Sequence, residues 1–345
     1  DDIGDIAERF DLEILESHQT SDGTLWLVAT RSRVAAKKLA QTLTREDHVK
    51  SAAGVSLASL PALTLAAAVA EEETSADLAL EGKVTSPCLA LMDSGGVWRG
   101  FADQRAAQKT DIHLAQFVDG YWCGFGMTVA VIDTAIDAQH PLLAGAVVAG
   151  HDFTQDVAGL NATQTSELGT KTRAIVESSN VLVQEGEGSI AVLAASAVIL
   201  GDDDESEEVL AELATKGPFF GHGTMVAGLI RLTAPAAKIM PLEAFDEEGV
   251  GHPFDIVRAI DYAVDNGADI INMSFSISEA TPELQEALRR ARRKGVMTVA
   301  AAGNSGEMSQ IFPAGYAETI GVAATDLEDQ LTDFSNSGLA NAALA

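Results

Sequence analysis

Positive charge is scarce in this chain: 22 Lys and Arg stand against 51 Asp and Glu in 345 residues, a formal net charge of −29. A chain of that sign does not neutralise a phosphate backbone, which excludes nucleic-acid binding as its main role. Its one concentration of cations, Arg289, Arg290, Arg292, Arg293 and Lys294, reads as the solvated face of a helix. Strong acidity also favours solubility and repels anionic surfaces. Cysteine is rarer still. Cys88 and Cys123 allow at most one bridge, so no disulfide framework holds the fold, and two free thiols fit equally well. Long apolar runs are missing too. The stretch 55–70 falls short of the roughly 20 residues that span a bilayer, and Ser56, Ser59, Pro61 and Thr64 interrupt it; it reads as a buried helix or linker.

Two further absences narrow the chemistry. The segment DTAIDAQHP has no glycine-rich loop, which excludes a doubly wound nucleotide site. Seven histidines show no metal-ligand spacing, so no cofactor is expected from the residues themselves. The chain opens on Asp1 rather than Met, and any signal peptide is expected to be cleaved or outside this sequence.

What is present is a hydrophobic content of 47%, enough for one large domain and a small one. Residues 1–60 form the small unit. DLEILES and TLWLVAT read as strands across a turn holding Asp22 and Gly23. RSRVAAKKLAQTLTRED follows as a helix with Val34, Leu39 and Leu43 on one face, and HVKSAAGVSL offers another strand. Residues 61–111, with Glu71, Glu72 and Glu73 and then Gly, Ser and Pro, read as a linker. Over 112–345 apolar strands alternate with helices, predicting a mostly parallel sheet covered on both faces.

The predicted strands are TVAVID, KIMPLEAF, DIINMSF, VMTVAAA and TIGVAAT, and the helices lie near HGTMVAGLIRL, FDIVRAIDYAVDN and PELQEALRRARRK. The last has Thr281 as N-cap, Pro282 at its first position and Gly295 at its stop. An acidic insertion at 156–217 breaks the alternation. NVLVQE, SIAVLA and SAVILG look like short strands within it, and it reads either as an exosite or regulatory flap or as a solvated excursion.

Three motifs stand at strand or helix ends in one order. Asp133 closes VAVID, His222 opens a helix in GHGTMVAGLI, and Asn304 follows VMTVAAAG. Open parallel sheets place functional residues at such carboxyl ends. On this pattern the His222 ring is expected exposed at its helix N-terminus, with Val226, Leu229 and Ile230 packing inward.

These motifs resemble the subtilisin-like serine proteases (subtilases, peptidase family S8), over about residues 112–338. The resemblance implies an α/β fold, a doubly wound and mostly parallel sheet preceded by a small α+β prodomain-like module. It implies a serine-type endopeptidase acting through a Ser-His-Asp triad, with Asp133 orienting the imidazole, His222 shuttling the proton and Asn304 donating to the oxyanion. Ser274, Phe275 and Ser276, with Ala301, Ala302 and Gly303, are the implied substrate-binding segments, which would pair with a polypeptide in extended conformation.

The residues depart from the family at Ala135, where Gly is usual, and at Phe275-Ser276, where Leu-Gly is usual. The implied partners are the polypeptide substrate and the chain's own prodomain; for residues 1–60 an unrelated adaptor domain is the alternative. A secreted or periplasmic location follows from the same resemblance, which also allows calcium on loop carboxylates.

The family's nucleophile lies in a Gly-Thr-Ser segment some sixty or more residues beyond the oxyanion Asn. These 345 residues contain no such segment, and Ser335 and Ser337 in FSNSG match a different, non-catalytic one. The chain as given is therefore expected to be nearly inert. It is either part of an active endopeptidase or an inactive pseudoprotease that binds peptides or regulates.

Overall fold

The computed structural model describes residues 3–30, 36–46, 48–54, 58–59, 124–140, 143–158, 181–183, 197–199, 219–326, 330–338 and 342–344. The predicted linker at 61–111, both cysteines, the strand-like SIAVLA and most of the acidic insertion lie outside them.

The small unit opens with α1 (Ile3–Phe10), β1 (Leu12–Thr20), β2 (Gly23–Thr30) and α2 (Ala36–Leu43). The hairpin β1–β2 is antiparallel from Leu12↔Thr30 to Thr20↔Gly23. Its turn closes because the Thr20 hydroxyl donates to the Gly23 carbonyl at 2.8 Å and accepts from the Asp22 amide at 3.2 Å, a side chain standing in for a backbone turn bond. The strand predicted over 48–57 does not form across residues 48–54. That segment has no ladder to join, and its Ser51 hydroxyl instead donates to Glu283 at 2.7 Å. A two-residue strand, β3 (Ala58–Ser59), follows.

The large unit holds β4 (Thr128–Asp133), β5 (His151–Asp152), β6 (Val157–Ala158), β7 (Val181–Val183), β8 (Ala197–Ile199), α3 (His222–Thr233), β9 (Lys238–Glu243), β10 (Val250–Gly251), α4 (Pro253–Asp265), β11 (Ile270–Met273), α5 (Pro282–Arg293), β12 (Met297–Ala301), β13 (Ile320–Ala323) and β14 (Ala342–Leu344). Eight of these strands make one sheet in the order β14-β13-β12-β11-β4-β9-β5-β6. Each neighbouring pair is parallel except β5–β6. Within the insertion β7 and β8 pair in parallel, matching two of its three strand-like runs.

Alternation along β4 shows why both faces are covered. Ala130 and Ile132 join the larger core with Ile256, Ile260, Leu284 and Leu288 of α4 and α5. Val129 and Val131 point the other way, toward Ala227 of α3. Each of these Val, Leu and Ile side chains contributes about 1.5–3 kcal/mol on burial, so the central strands are clamped from both sides.

Caps fix the helix ends. Gly295 has φ +83° just past α5, the left-handed stop that a glycine adopts without strain. Thr281 is the N-cap residue of α5, but its side chain makes no capping bond. Its backbone is held instead by Tyr316, whose hydroxyl accepts from the Thr281 amide at 2.8 Å and donates to its carbonyl at 3.0 Å.

The small unit packs on the large one. The Arg258 guanidinium meets Glu16 at 2.8 Å, and His18 meets Asp261 at 2.9 Å. Asp22 lies 3.3 Å from Arg293, and Leu25 packs on the larger core. The hairpin thus sits over α4 and α5. Beyond it, β3 pairs antiparallel with β10 through Ser59↔Val250 and Ala58↔Gly251.

Candidate active site

Asp133 is the last residue of β4, fully buried. Its Oδ1 accepts from the Thr134 amide at 2.8 Å and lies 2.7 Å from His222 Nδ1. Because the carboxylate only accepts, Nδ1 carries the proton and Nε2 is left with the lone pair. Asp133 Oδ2 has no hydrogen-bond partner among the described residues.

His222 is the first residue of α3, placed there by Gly221, whose φ of +79° turns the chain into the helix. The ring is 7% exposed, not open to solvent as the helix-terminus position predicts. Phe219 explains the burial, standing edge-on to the imidazole with centroids 6.0 Å apart. Burial disfavours the imidazolium, but the charge of Asp133 and its hydrogen bond outweigh it and raise the His222 pKa above its ordinary value. The inward stripe of α3 also differs from expectation: Val226, Ala227 and Ile230 pack on the core, whereas Leu229 is exposed. Residues 226, 227 and 230 share one side at 3.6 residues per turn, and 229 falls off it.

Thr134 joins the two motifs. Its hydroxyl accepts from the Gly223 amide at 3.0 Å, fixing the residue after the histidine against the residue after the aspartate. Gly223 has to be glycine, since a Cβ there would lie 2.3 Å from the Thr134 carbonyl oxygen. One residue on, the Thr224 hydroxyl accepts from the Asp137 amide at 2.9 Å. Ala135 is buried with a negative φ, so its extra methyl is accommodated without backbone strain. His140 is buried as well, and that burial lowers its pKa against the opposing pull of Asp137.

The other predicted residues line the same carboxyl edge of the sheet. Ser274, Phe275 and Ser276 follow β11; Ala301 ends β12, its parallel neighbour, and Ala302, Gly303 and Asn304 follow it. Phe275 does not face a groove. Its side chain is fully buried against Phe245, with ring centroids 4.9 Å apart. Ser274 Oγ accepts from Asn272 Nδ2 at 3.0 Å. Asn304 and Ser276 are half-buried. Ser335 is buried and accepts from the Ala324 amide at 2.9 Å.

Thr134, Phe219 and the β10 edge were not singled out from sequence. Thr134 carried a signal, being a hydroxyl residue directly after the strand-end aspartate. Phe219 lies three residues before His222, and only the fold brings the turn before β10 to it: the Phe219 amide donates to the Glu247 carbonyl at 2.9 Å, and a Cβ on Gly249 would lie 2.3 Å from the Phe219 ring. That leaves one aromatic side chain between the imidazole and the turn leading into β10. Acidic groups gather behind it. Burial, with Asp152 and Glu247 nearby, pushes Glu243 up to about 8. Among the described residues no group of three or more His, Cys, Asp or Glu is arranged to hold a metal ion.

Residues 124–344 match the subtilase family. The chain belongs to it. Thermophilic serine proteinase of Bacillus sp. (strain AK1) is 33% identical over 216 residues, covering 62% of this chain and 42% of that protein. Thermitase of Thermoactinomyces vulgaris is 31% identical over 215 residues, covering 62% of this chain and 61% of that one. This subtilase chain thus spans less than two thirds of the length of either relative. A solved cold adapted subtilisin-like serine proteinase aligns with TM-score 0.43 at 23% identity, over 64% of this chain and 62% of that one.

Proposed function

We propose that this chain carries the proton-transfer and oxyanion-binding parts of a serine endopeptidase. The observation that carries the reading is the buried 2.7 Å contact between Asp133 and His222, with Nε2 left as a base. In this reading Nε2 takes the proton from a serine hydroxyl as the oxygen attacks a peptide carbonyl. The carbonyl electrons move onto oxygen, where the Asn304 amide donates to them. His222 then passes the proton to the departing amine, and a second cycle with water releases the acid. Asp133 stays ionised and stabilises the imidazolium. The nucleophile of this chemistry has no Gly-Thr-Ser counterpart within the 345 residues.

The substrate is an extended polypeptide. The pairing of β3 with β10 supports this, because a segment of the chain itself already lies as an added strand on β10, and Gly249 just before β10 packs against the Phe219 ring that faces His222. Main-chain pairing of that kind accepts many sequences. The same contact, with the hairpin resting on α4 and α5, supports residues 1–60 as a prodomain-like unit that occupies the peptide edge. Calcium is not part of the proposal. Among the described residues no helix is long and apolar enough to cross a membrane.

The test is hydrolysis of an unfolded protein, together with covalent capture by a fluorophosphonate, using protein expressed from its whole coding frame. His222→Ala is expected to lower kcat by about 10⁴-fold or more, and Asn304→Ala by about 10²- to 10³-fold with little change in KM. Peptide binding without hydrolysis or capture would overturn the endopeptidase reading in favour of an inactive peptide-binding protein.

A further inference from the structure

The FSNSG segment is not used by the proposed chemistry, yet it grips the loop that presents Asn304. Asn336 is 1% exposed. Its side-chain oxygen accepts three hydrogen bonds: from the Ser305 amide at 2.9 Å, the Ser305 hydroxyl at 2.8 Å and the Glu307 amide at 3.2 Å. Its own amide donates to the Gly303 carbonyl at 2.8 Å. Both peptide neighbours of Asn304 are therefore bonded to one residue.

The fit around that residue is close. Gly303 has φ +100°, and a Cβ there would lie 2.6 Å from Asn336 Nδ2 and 2.4 Å from Ile311 Cδ1. No other residue type combines that φ with that approach. Flanking bonds extend the grip: the Gly306 amide donates to the Phe334 carbonyl at 2.8 Å, and the Ser337 amide to the Glu307 carbonyl at 3.1 Å. Asn336 is itself anchored. Its neighbour Ser335 accepts from the Ala324 amide, just past β13, at 2.9 Å and donates to the Asn336 carbonyl at 3.2 Å. The main sheet thus fixes Ser335, Ser335 fixes Asn336, and Asn336 fixes the turn on either side of Asn304.

We infer that Asn336 is a positioning residue for the Asn304 amide, an inference that rests on the proposed oxyanion role of Asn304. A carbonyl oxygen is needed at this point because the amides of Ser305 and Glu307 converge on it, and both lose their acceptor without it. An oxyanion donor works only when held in place before charge develops, so slackness in this turn reads out in kcat rather than in substrate binding.

The experiment uses protein from the whole coding frame and compares Asn336→Leu, which removes the acceptor at similar volume, with Asn336→Asp, which keeps it. Residue-resolved amide exchange and the NMR resonance of the Asn304 side-chain amide are read beside kinetics. Asn336→Leu is expected to speed exchange at Ser305 and Glu307 at least ~10-fold, to broaden the Asn304 resonance and to lower kcat by about 10- to 100-fold with KM nearly unchanged. Asn336→Asp keeps those amides protected. In an Asn304→Ala background, Asn336→Leu has no further effect on kcat. Unchanged exchange in Asn336→Leu, or a kcat loss of equal size in the Asn304→Ala background, would overturn the inference. If the unsubstituted protein hydrolyses nothing, it is the endopeptidase reading that fails, and unchanged exchange would then still overturn the grip of Asn336 on the turn.

Discussion

Asp133 and Glu243 stand directly opposite each other in the β4–β9 ladder, one bonded to an imidazole and the other set beside Asp152 and Glu247. Glu243 titrates near 8 against an ordinary 4.5, so the folded chain holds a proton that the unfolded chain releases at lower pH. The folded state binds more protons between about 4.5 and 8, and stability falls as pH rises through that window. Glu243→Gln is expected to flatten this slope and to raise the melting temperature at pH 9 more than at pH 5. An unchanged slope in thermal unfolding would exclude Glu243 as its source.

The His222 ring is expected to titrate above its ordinary value of about 6.5, because Asp133 outweighs the cost of burial. Folding then gains from imidazolium below the unfolded value and loses that gain as pH rises through the folded one. Asp133→Asn removes the charge and leaves desolvation in command, so the midpoint drops below that of the unsubstituted protein. Ring-proton NMR across pH 5 to 9 reads both midpoints directly. Wherever His222 acts as base, the rising limb of kcat/KM follows the same midpoint.

Thr134→Val deletes the hydroxyl that receives the Gly223 amide while keeping its shape. A buried donor left without a partner costs about 1–3 kcal/mol. Urea unfolding measures the loss, and exchange at Gly223 localises it. No loss of stability would mean that the histidine motif keeps its register on the aspartate motif by packing alone.

The two arginines facing Asp22 differ in depth. Arg290 holds Asp261 by two bonds, of 2.9 and 2.8 Å, with 9% of its side chain exposed, whereas Arg293 is 55% exposed. Arg290→Ala is expected to cost about 3 kcal/mol, because it takes the guanidinium away from the largely buried Asp261 carboxylate of α4 and leaves His18 beside it. Arg293→Ala should cost no more than about 1 kcal/mol and lose that effect in salt. Chemical denaturation at low and high salt separates them.

Much of the large unit was legible because its strands are long apolar runs and its helices carry end signals such as Pro282 and Gly295. The motif residues were legible because a carboxylate closing a strand and a histidine opening a helix are local patterns. What stayed hidden depends on partners distant in sequence. β3, β5, β6 and β10 are two-residue strands defined by the edge they meet, not by periodicity. The strand expected at 48–57 had suitable residues but no ladder across 48–54. Phe275 ends the predicted strand DIINMSF, and only the fold brings Phe245 against it. Asn336 was not singled out, because the amides it receives lie some thirty positions earlier.

The β3–β10 pair joins residues roughly 190 positions apart through a two-residue ladder, and the chain entropy of closing so long a loop is offset by the burial of Ala58 in the core as well as by those few bonds. The ladder forms late, after the β10 turn is already in place. A competing peptide reaches the β10 edge only when this pairing opens, and amide exchange at the paired residues measures how often it does.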